Sequence, residues 1–255
     1  VTLVALTREV SPALARCELV HLQREVIDVA LARTQHRAYE AALREAWCEV
    51  RTLPADPELP DSVFVEDTAV VLDEVAIITR PGAVSRRPET GAVAAALAPF
   101  RVLVTITAPG TVDGGDVLRV GRTIYVGDTA RTNRAGIDHI AAALGPYGYD
   151  VRPVAVRGCL HLKSAATLVA PDTVLCNPRW VDPATFSGAS VIDVAEGEAG
   201  AANGLLVGER LIYPASFPVT AARLEARGIA LRLVDVSELQ KAEGAVTCCS
   251  VIFTT

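Results

Sequence analysis

The sequence predicts an α/β protein of five strand–strand–helix–strand (ββαβ) units arranged about a pseudo-fivefold axis, in one domain spanning 1–255 with helices outside. Three observations carry this prediction. β-type runs alternate with helical stretches along all 255 residues. The alternation repeats with a period of roughly 35 to 50 residues, a range that marks repeat architectures. The fifth copy is split between the two ends of the chain, which closes the array into a ring.

The elements follow in order. Val1 to Leu6 is a short β-type run, ended by Thr7-Arg8-Glu9 and Ser11-Pro12. From Leu19 to Trp47 apolar residues recur at helical spacing, among them Val26, Ala30, Leu31, Tyr39, Leu43 and Trp47. Glu49 to Leu53 reads as a strand, and an acidic, proline-rich loop follows from Pro54 to Asp61. The first complete copy has strands Val63 to Leu72 and Ala76 to Thr79, a helix from Ser85 to Leu97, and a strand Val102 to Ile106. The second has strands Asp116 to Val120 and Ile124 to Val126, a helix Arg134 to Leu144, and a strand Val151 to Val156. The third is shorter: Ala165 to Val169, Val174 to Cys176, a short helical piece, and Ser190 to Val194. The fourth has Gly204 to Val207, Leu211 to Tyr213, a helix Ala221 to Arg227, and Ala230 to Val236. Cys248 to Phe253 supplies the first strand of the fifth, and the N-terminal segments supply the rest.

Composition excludes several classes of function. No apolar run approaches the ~18 to 20 residues that span a bilayer, and no signal-peptide pattern is present. Six cysteines at irregular spacing form neither a disulfide framework nor a CxxC metal site. They imply free thiols in a reducing cytoplasm. A net charge of −6 without a basic run argues against nucleic acid and is compatible with a small cationic ligand.

In a ring, equivalent positions converge on the axis. The residues just before the first strand of each unit are Glu66 and Asp67, then Asp113 and Asp116, then His161, Asn203 and Cys248. Carboxylates, an imidazole, an amide and a thiol therefore surround one channel. Polar strand ends are common, but here the most reactive residue types share one register. If Cys248 and Cys249 sit in the strand, their side chains point to opposite faces, and vicinal cysteines make a poor structural disulfide. A thiol and an imidazole in a cleft are the parts of nucleophilic catalysis, and either Asp113 or Asp116 could orient His161. Clustered carboxylates call for a cation, and a guanidinium offers them a planar fork of donors. Cys248 beside Glu66 and Asp67 thus suggests attack on a guanidinium carbon. A substrate cation about 4 Å from the thiolate contributes roughly 4 kcal/mol at an effective dielectric of about 20, or about three pKa units. The bound substrate then helps to ionise Cys248. Arg86 and Arg131 are candidates to clamp an α-carboxylate at the far end of such a molecule.

These residues lie in motifs that resemble one family. Phe64-Val65-Glu66-Asp67, Ile78-Thr79-Arg80-Pro81-Gly82 with Ser85-Arg86-Arg87, Asp113-Gly114-Gly115-Asp116-Val117, Ala130-Arg131-Thr132-Asn133, His161-Leu162-Lys163-Ser164 and Thr247-Cys248-Cys249-Ser250 are similar, in order and spacing, to dimethylarginine dimethylaminohydrolases. The resemblance runs nearly the full chain. It implies the fivefold α/β propeller (pentein) shared with arginine deiminases and amidinotransferases. It also implies hydrolysis of Nω-methylated arginines to citrulline and an amine, with no cofactor and no metal. By the resemblance Cys248 is the nucleophile, His161 the general acid and base, and Asp113 the carboxylate that orients His161. Asp113 stands where some members carry Glu, an arm one methylene longer. Asp61, Glu66 and Asp67 match positions around the substrate's amino and guanidino groups, and Arg86 and Arg131 match its carboxylate clamp. Leu19 and Ala242 match positions that contact substrate through the backbone. Cys249 matches a cysteine that only some members carry, and receives no role. The implied partner is a small molecule, not nucleic acid or membrane, and a homodimer is allowed. Two alternatives remain at this stage: an arginine deiminase, although those usually carry an added helical domain, and a non-catalytic binding protein on the same scaffold. The Ser11-Pro12 break makes the segment from Arg8 to Leu19 a candidate lid.

Overall fold

The computed structural model describes residues 2–255; Val1, the first residue of the predicted opening strand, lies outside them. Among the described residues fifteen strands form five separate three-stranded sheets. In chain order they are β1 (Leu3–Arg8), β2 (Cys48–Leu53), β3 (Ala69–Val71), β4 (Val75–Ile78), β5 (Val102–Thr105), β6 (Val117–Val120), β7 (Thr123–Asp128) and β8 (Asp150–Ala155). Then come β9 (Ala166–Ala170), β10 (Thr173–Cys176), β11 (Ser190–Asp193), β12 (Leu205–Val207), β13 (Arg210–Pro214), β14 (Ala230–Val234) and β15 (Val251–Thr254). Each sheet repeats one pattern: the first strand runs antiparallel to the second, and the second parallel to the third. The fifth sheet, β15-β1-β2, joins the two ends of the chain, with Val4 opposite Phe253 and Glu49. First strands touch first strands of neighbouring sheets, as β15 does β3 and β9 does β12, so they line the axis.

A parallel second-to-third step needs a crossover, and the helices provide it. They are α1 (Val29–Glu45), α2 (Thr90–Leu97), α3 (Arg134–Leu144) and α5 (Pro218–Glu225). Two further one-turn helices, α4 (Leu162–Ala165) and α6 (Ser237–Gln240), lie before β9 and after β14. Each crossover helix buries its apolar face in the wedge between its own sheet and the preceding one. Leu97 and Val93 of α2 meet Ile78 of β4 together with Val4 and Phe253. Ile137, Ile140 and Leu144 of α3 meet Ile124 and Ile77. In the third unit a 3-10 turn, Pro183–Phe186, takes the helix's place, and Phe186 packs edge-on against Tyr125 at 5.1 Å. The hydrophobic effect thus works between units as much as within them.

The structure corrects several boundaries. The predicted helix from Leu19 begins only at Val29, where the Asp28 side chain caps the Ala30 and Leu31 amides at 2.9 and 3.0 Å. Val26 and Trp47, read as part of its apolar face, are 89% and 90% exposed; Ala32, Tyr39 and Leu43 form the true buried stripe. The predicted strand Val63 to Leu72 opens instead with a 3-10 turn, Val65–Thr68, closed by the Thr68 hydroxyl donating to the Val65 carbonyl at 2.7 Å. Cys248 and Cys249 also precede their strand, in a turn that ends before Val251.

The long helix and the chain's end are tied at one buried point, where Tyr39 Oη and Ser250 Oγ lie 2.6 Å apart. Tyr39→Phe removes one partner of a buried hydrogen bond. It is expected to lower unfolding free energy by about 1–2 kcal/mol in urea titrations; an unchanged midpoint would mean that the bond carries no net stability.

Candidate active site

One local device recurs before every axial strand: a short turn, helical in the first four units. These are Val65–Thr68 before β3, Gly114–Asp116 before β6, α4 before β9, Ala199–Ala202 before β12, and the turn through Cys248 before β15. A short turn aims its flanking side chains across the axis, and the turns bond to one another in a closed circle. The Gly115 amide donates to Asp67 Oδ1 at 3.0 Å, and the Leu162 amide to Asp116 Oδ1 at 2.9 Å. Asn203 Nδ2 donates to the Lys163 carbonyl at 3.1 Å and to Thr247 Oγ1 at 2.9 Å. The Glu66 amide donates to the Cys248 carbonyl at 3.1 Å and completes the circle.

His161 stands at the N-terminal edge of α4, buried, with Nε2 3.0 Å from Asp113 Oδ2 and Nδ1 3.8 Å from Asp67 Oδ1. Geometry therefore separates the two aspartates that the sequence leaves as alternatives. Asp113 bonds the imidazole directly. Asp116 instead bonds the backbone just after His161 and accepts from Thr129 Oγ1 at 2.7 Å, fixing where the imidazole is mounted. Gly115 is required between them: a Cβ there would lie 2.6 Å from His161 Nδ1. Asp67 is held by Arg86, whose guanidinium also binds Glu89 at 2.8 Å and the Phe64 carbonyl at 3.1 Å.

Asp61, Asp67, Arg86, Arg131, His161, Ala242 and Cys248 line one cavity of about 20 Å³, capped by Glu18 and Glu243. Asp113 lies wholly buried behind His161. Leu19, expected to contact substrate, does not line this cavity; it packs against the hydrophobic core one residue after Glu18, which does line it. The Glu66 carboxylate turns away: it accepts from Lys163 Nζ at 2.6 Å and from Thr247 Oγ1 at 2.8 Å, and lines a separate cavity with Lys163 and Val251. The two arginines differ. Arg86 is committed to Asp67, Glu89 and backbone carbonyls, whereas Arg131 Nη1 is buried without any hydrogen-bond partner, 3.8 Å from Asp113 Oδ2. A second, larger cavity of about 440 Å³, lined by Leu22, Leu160, Trp180 and Phe217, also reaches Cys248.

The charges shift one another. Burial pushes the His161 imidazole down, but Asp67, Asp116 and Asp113 outweigh it and raise its pKa to about 9. Burial, with Glu66 and Asp67 alongside, pushes the Cys248 thiol up to about 12. The resting site thus holds an imidazolium beside a neutral thiol. Asp67 moves downward despite burial, because His161 and Arg86 stabilise its charge. Burial raises Asp61 and Glu66, and carries Asp116 to about 6.

Asp67, Asp113 and His161 are also the one trio among the described residues whose donor atoms are close enough to share a metal ion. Each of their four carboxylate oxygens already has a proton donor: Gly115, Arg86, Gly82 and His161. Sequence reasoning missed Glu89, Glu243 and the ion-pairing role of Lys163. Glu89 had a signal, because it stands three residues after Arg86 on one helical face. Glu243 had none.

Fold and site together define a class: fivefold α/β propellers that place a cysteine, a histidine and carboxylates at the axis. No protein-family model matches the chain. It is 47% identical over 250 residues to the N(G),N(G)-dimethylarginine dimethylaminohydrolase of Streptomyces coelicolor, covering 97% of this chain and 95% of that protein. It is 38% identical over 228 residues to the enzyme of the same name from Pseudomonas aeruginosa, covering 89% of this chain and 90% of that protein. A crystal structure of the Pseudomonas aeruginosa protein, a cysteine-to-serine mutant complexed with citrulline, superposes with a TM-score of 0.94 at 35% identity, covering 99% of this chain and 100% of that one. The N-terminal domain of ArgZ, a cyanobacterial arginine dihydrolase, shares the fold at 18% identity and a TM-score of 0.87, covering 100% of this chain and 98% of that one. The chain belongs to the dimethylarginine dimethylaminohydrolase family.

Two predictions follow from this geometry. The raised His161 pKa means that the folded state holds this proton more tightly than the unfolded chain. Its contribution to stability is complete below about pH 6.5 and is lost as pH rises through about 9. The urea midpoint of the native protein should fall across that window, and that of His161→Gln should fall less; equal slopes would refute the assignment. Gly115→Ala pushes the imidazole off Asp113 and is expected to lower kcat/KM by about a hundredfold, as measured with methylated arginine.

Proposed function

We infer that the protein hydrolyses Nω-methylated L-arginine to L-citrulline and methylamine or dimethylamine, through a covalent intermediate on Cys248. The observation that carries the reading is the constellation in one cavity: Cys248, His161 backed by Asp113, the Asp61 and Asp67 carboxylates, and the Arg131 guanidinium, whose buried Nη1 has no hydrogen-bond partner among the described residues. The carboxylates suit a guanidinium, and Arg131, which lines the same cavity, suits an α-carboxylate. Arg86, already bonded to Asp67 and Glu89, acts as scaffold for the carboxylates more than as a second clamp. Among the described residues no helix is long and apolar enough to cross a membrane, and the six cysteines are free thiols, as a reducing compartment would keep them.

The chemistry runs as follows. A thiol near pKa 12 is a weak nucleophile at neutral pH. A guanidinium against it lowers that pKa by roughly three units, to about the level of the His161 imidazolium. At that level a small fraction of the bound complex carries the thiolate at neutral pH, its proton given up to solvent. The Cys248 thiolate then attacks the guanidinium carbon. His161 gives its proton to the methylated nitrogen, and the C–N bond breaks to release the neutral amine. An S-alkylthiouronium remains on Cys248. Neutral His161, still oriented by Asp113, takes a proton from water as it attacks the same carbon. Collapse expels the Cys248 thiolate, and protonated citrulline gives up its proton to the amine in solution.

Incubation with asymmetric dimethylarginine should yield citrulline, and incubation with arginine should not. Citrulline from arginine alone would move the reading to a deiminase, and none from either would favour a binding protein. Cys248→Ser and His161→Gly should each cut turnover at least about a thousandfold while keeping the native circular-dichroism spectrum.

A further inference from the structure

The covering segment of the site has an unusual construction. Residues 18–27 lie between the 3-10 turn Leu14–Arg16 and α1. Among the described residues, none of these ten makes a backbone–backbone hydrogen bond. The stretch before it, from Arg8, is by contrast fastened: the Glu9 amide bonds the Leu53 carbonyl, and Val10, Leu14 and Cys17 are buried in the core. The candidate lid of the sequence reading is thus anchored, and the unladdered strap begins where it ends.

Side chains hold the strap instead. Asp61 accepts from the Glu18 amide at 3.2 Å. Glu238 accepts from the Asp28 amide at 2.8 Å, and Lys241 Nζ donates to the Val26 carbonyl at 3.1 Å. Between these ends one carboxylate takes three consecutive amides. Glu243 accepts from Val20 at 3.0 Å, His21 at 2.5 Å and Leu22 at 2.6 Å. Glu243 has φ of 57°, a conformation that costs a residue with a side chain free energy. Glycine would sit there more easily, yet the position carries an acid aimed at the strap. Glu243 also lines both cavities that reach Cys248.

The cavity beneath the strap, at about 20 Å³, has room for about one water molecule. A cavity of that size does not hold an arginine derivative, so the residues around it, the strap among them, must give way for one to bind. We propose that Glu243 is the latch of this strap, a positioning residue whose carboxylate closes residues 20–22 over bound substrate and releases them at each turnover. Substrate capture is where its contribution falls, because closure expels water and completes the binding cavity. Glu243 touches none of the reacting atoms in the mechanism above. The proposal rests on the function inferred above for the site it covers, but its first readout does not require turnover.

Glu243→Gly removes the carboxylate and relieves the backbone conformation, so loss of folding does not confuse the result. Amide hydrogen exchange, read by mass spectrometry on the native chain and this variant, should show residues 20–22 exchanging at least about tenfold faster in the variant, with the melting temperature unchanged or higher. KM for asymmetric dimethylarginine should rise about tenfold, with kcat changed less than about threefold. Glu243→Gln, which keeps an acceptor but loses the charge, should fall between. Unchanged exchange at residues 20–22 would overturn the latch whether or not the protein turns over methylarginine. A lowered melting temperature with unchanged KM would also overturn it, by assigning Glu243 to the fold alone.

Discussion

The structure depends on a circle of hydrogen bonds around its axis. Five units contribute five short turns, and each turn bonds the next through a side chain or a backbone group: Asp67 to Gly115, Asp116 to Leu162, Lys163 to Asn203, Asn203 to Thr247, and Cys248 to Glu66. Most of these groups are buried, so each would pay a desolvation cost if left unpaired. The circle closes only if the two chain ends share a sheet, which the β15-β1 pairing and the Tyr39–Ser250 contact secure. Three members of the circle bear on the proposed site: Asp67 and Cys248 line its cavity, and Asp116 fixes the backbone beside His161. Fold and site are one constraint met at one place.

The second organising fact is an imbalance of charge. Asp61, Glu66, Asp67, Glu89, Asp113 and Asp116 are all buried near the axis, facing Arg86, Arg131, Lys163 and the His161 imidazolium. More carboxylates than cations leave the cluster short of positive charge. Burial without full compensation explains why Asp61, Glu66, Glu89 and Asp116 are harder to ionise than usual. It also explains why the Cys248 thiol is held neutral. A cationic guanidinium is the missing component. Its arrival would relieve the carboxylates and lower the Cys248 pKa in the same event, so the thiolate fraction rises only when there is something to attack.

Much of this was legible in the sequence, for a physical reason. Strand alternation and turn glycines are local signals, so the repeat and its split fifth copy could be read without coordinates. The register that put Glu66, Asp67, Asp113, His161 and Cys248 at one level followed from the repeat. What could not be read depended on contacts distant in sequence. The 3-10 turn at Val65–Thr68 and the turn before Val251 look like strand, because both carry β-branched and apolar residues. Val26 and Trp47 matched a helical period but not the helix face, since only the Asp28 cap sets where that helix begins. Glu66 and Asp67 are neighbours in sequence with different destinations, one to Lys163 and one to Arg86, and only the folded ring decides which goes where. Glu243 carries no local signal, because its partners lie more than two hundred residues away.

The account turns on Cys248 being a neutral thiol until a guanidinium binds. The direct measurement is thiolate formation against pH, read by ultraviolet absorbance and by the rate of alkylation at Cys248, in the free protein and with a non-reactive guanidinium ligand bound. The account predicts a thiol that titrates far above neutral in the free protein and falls by about three units when the ligand is bound. A Cys248 already ionised at neutral pH in the free protein, and indifferent to the ligand, would contradict it.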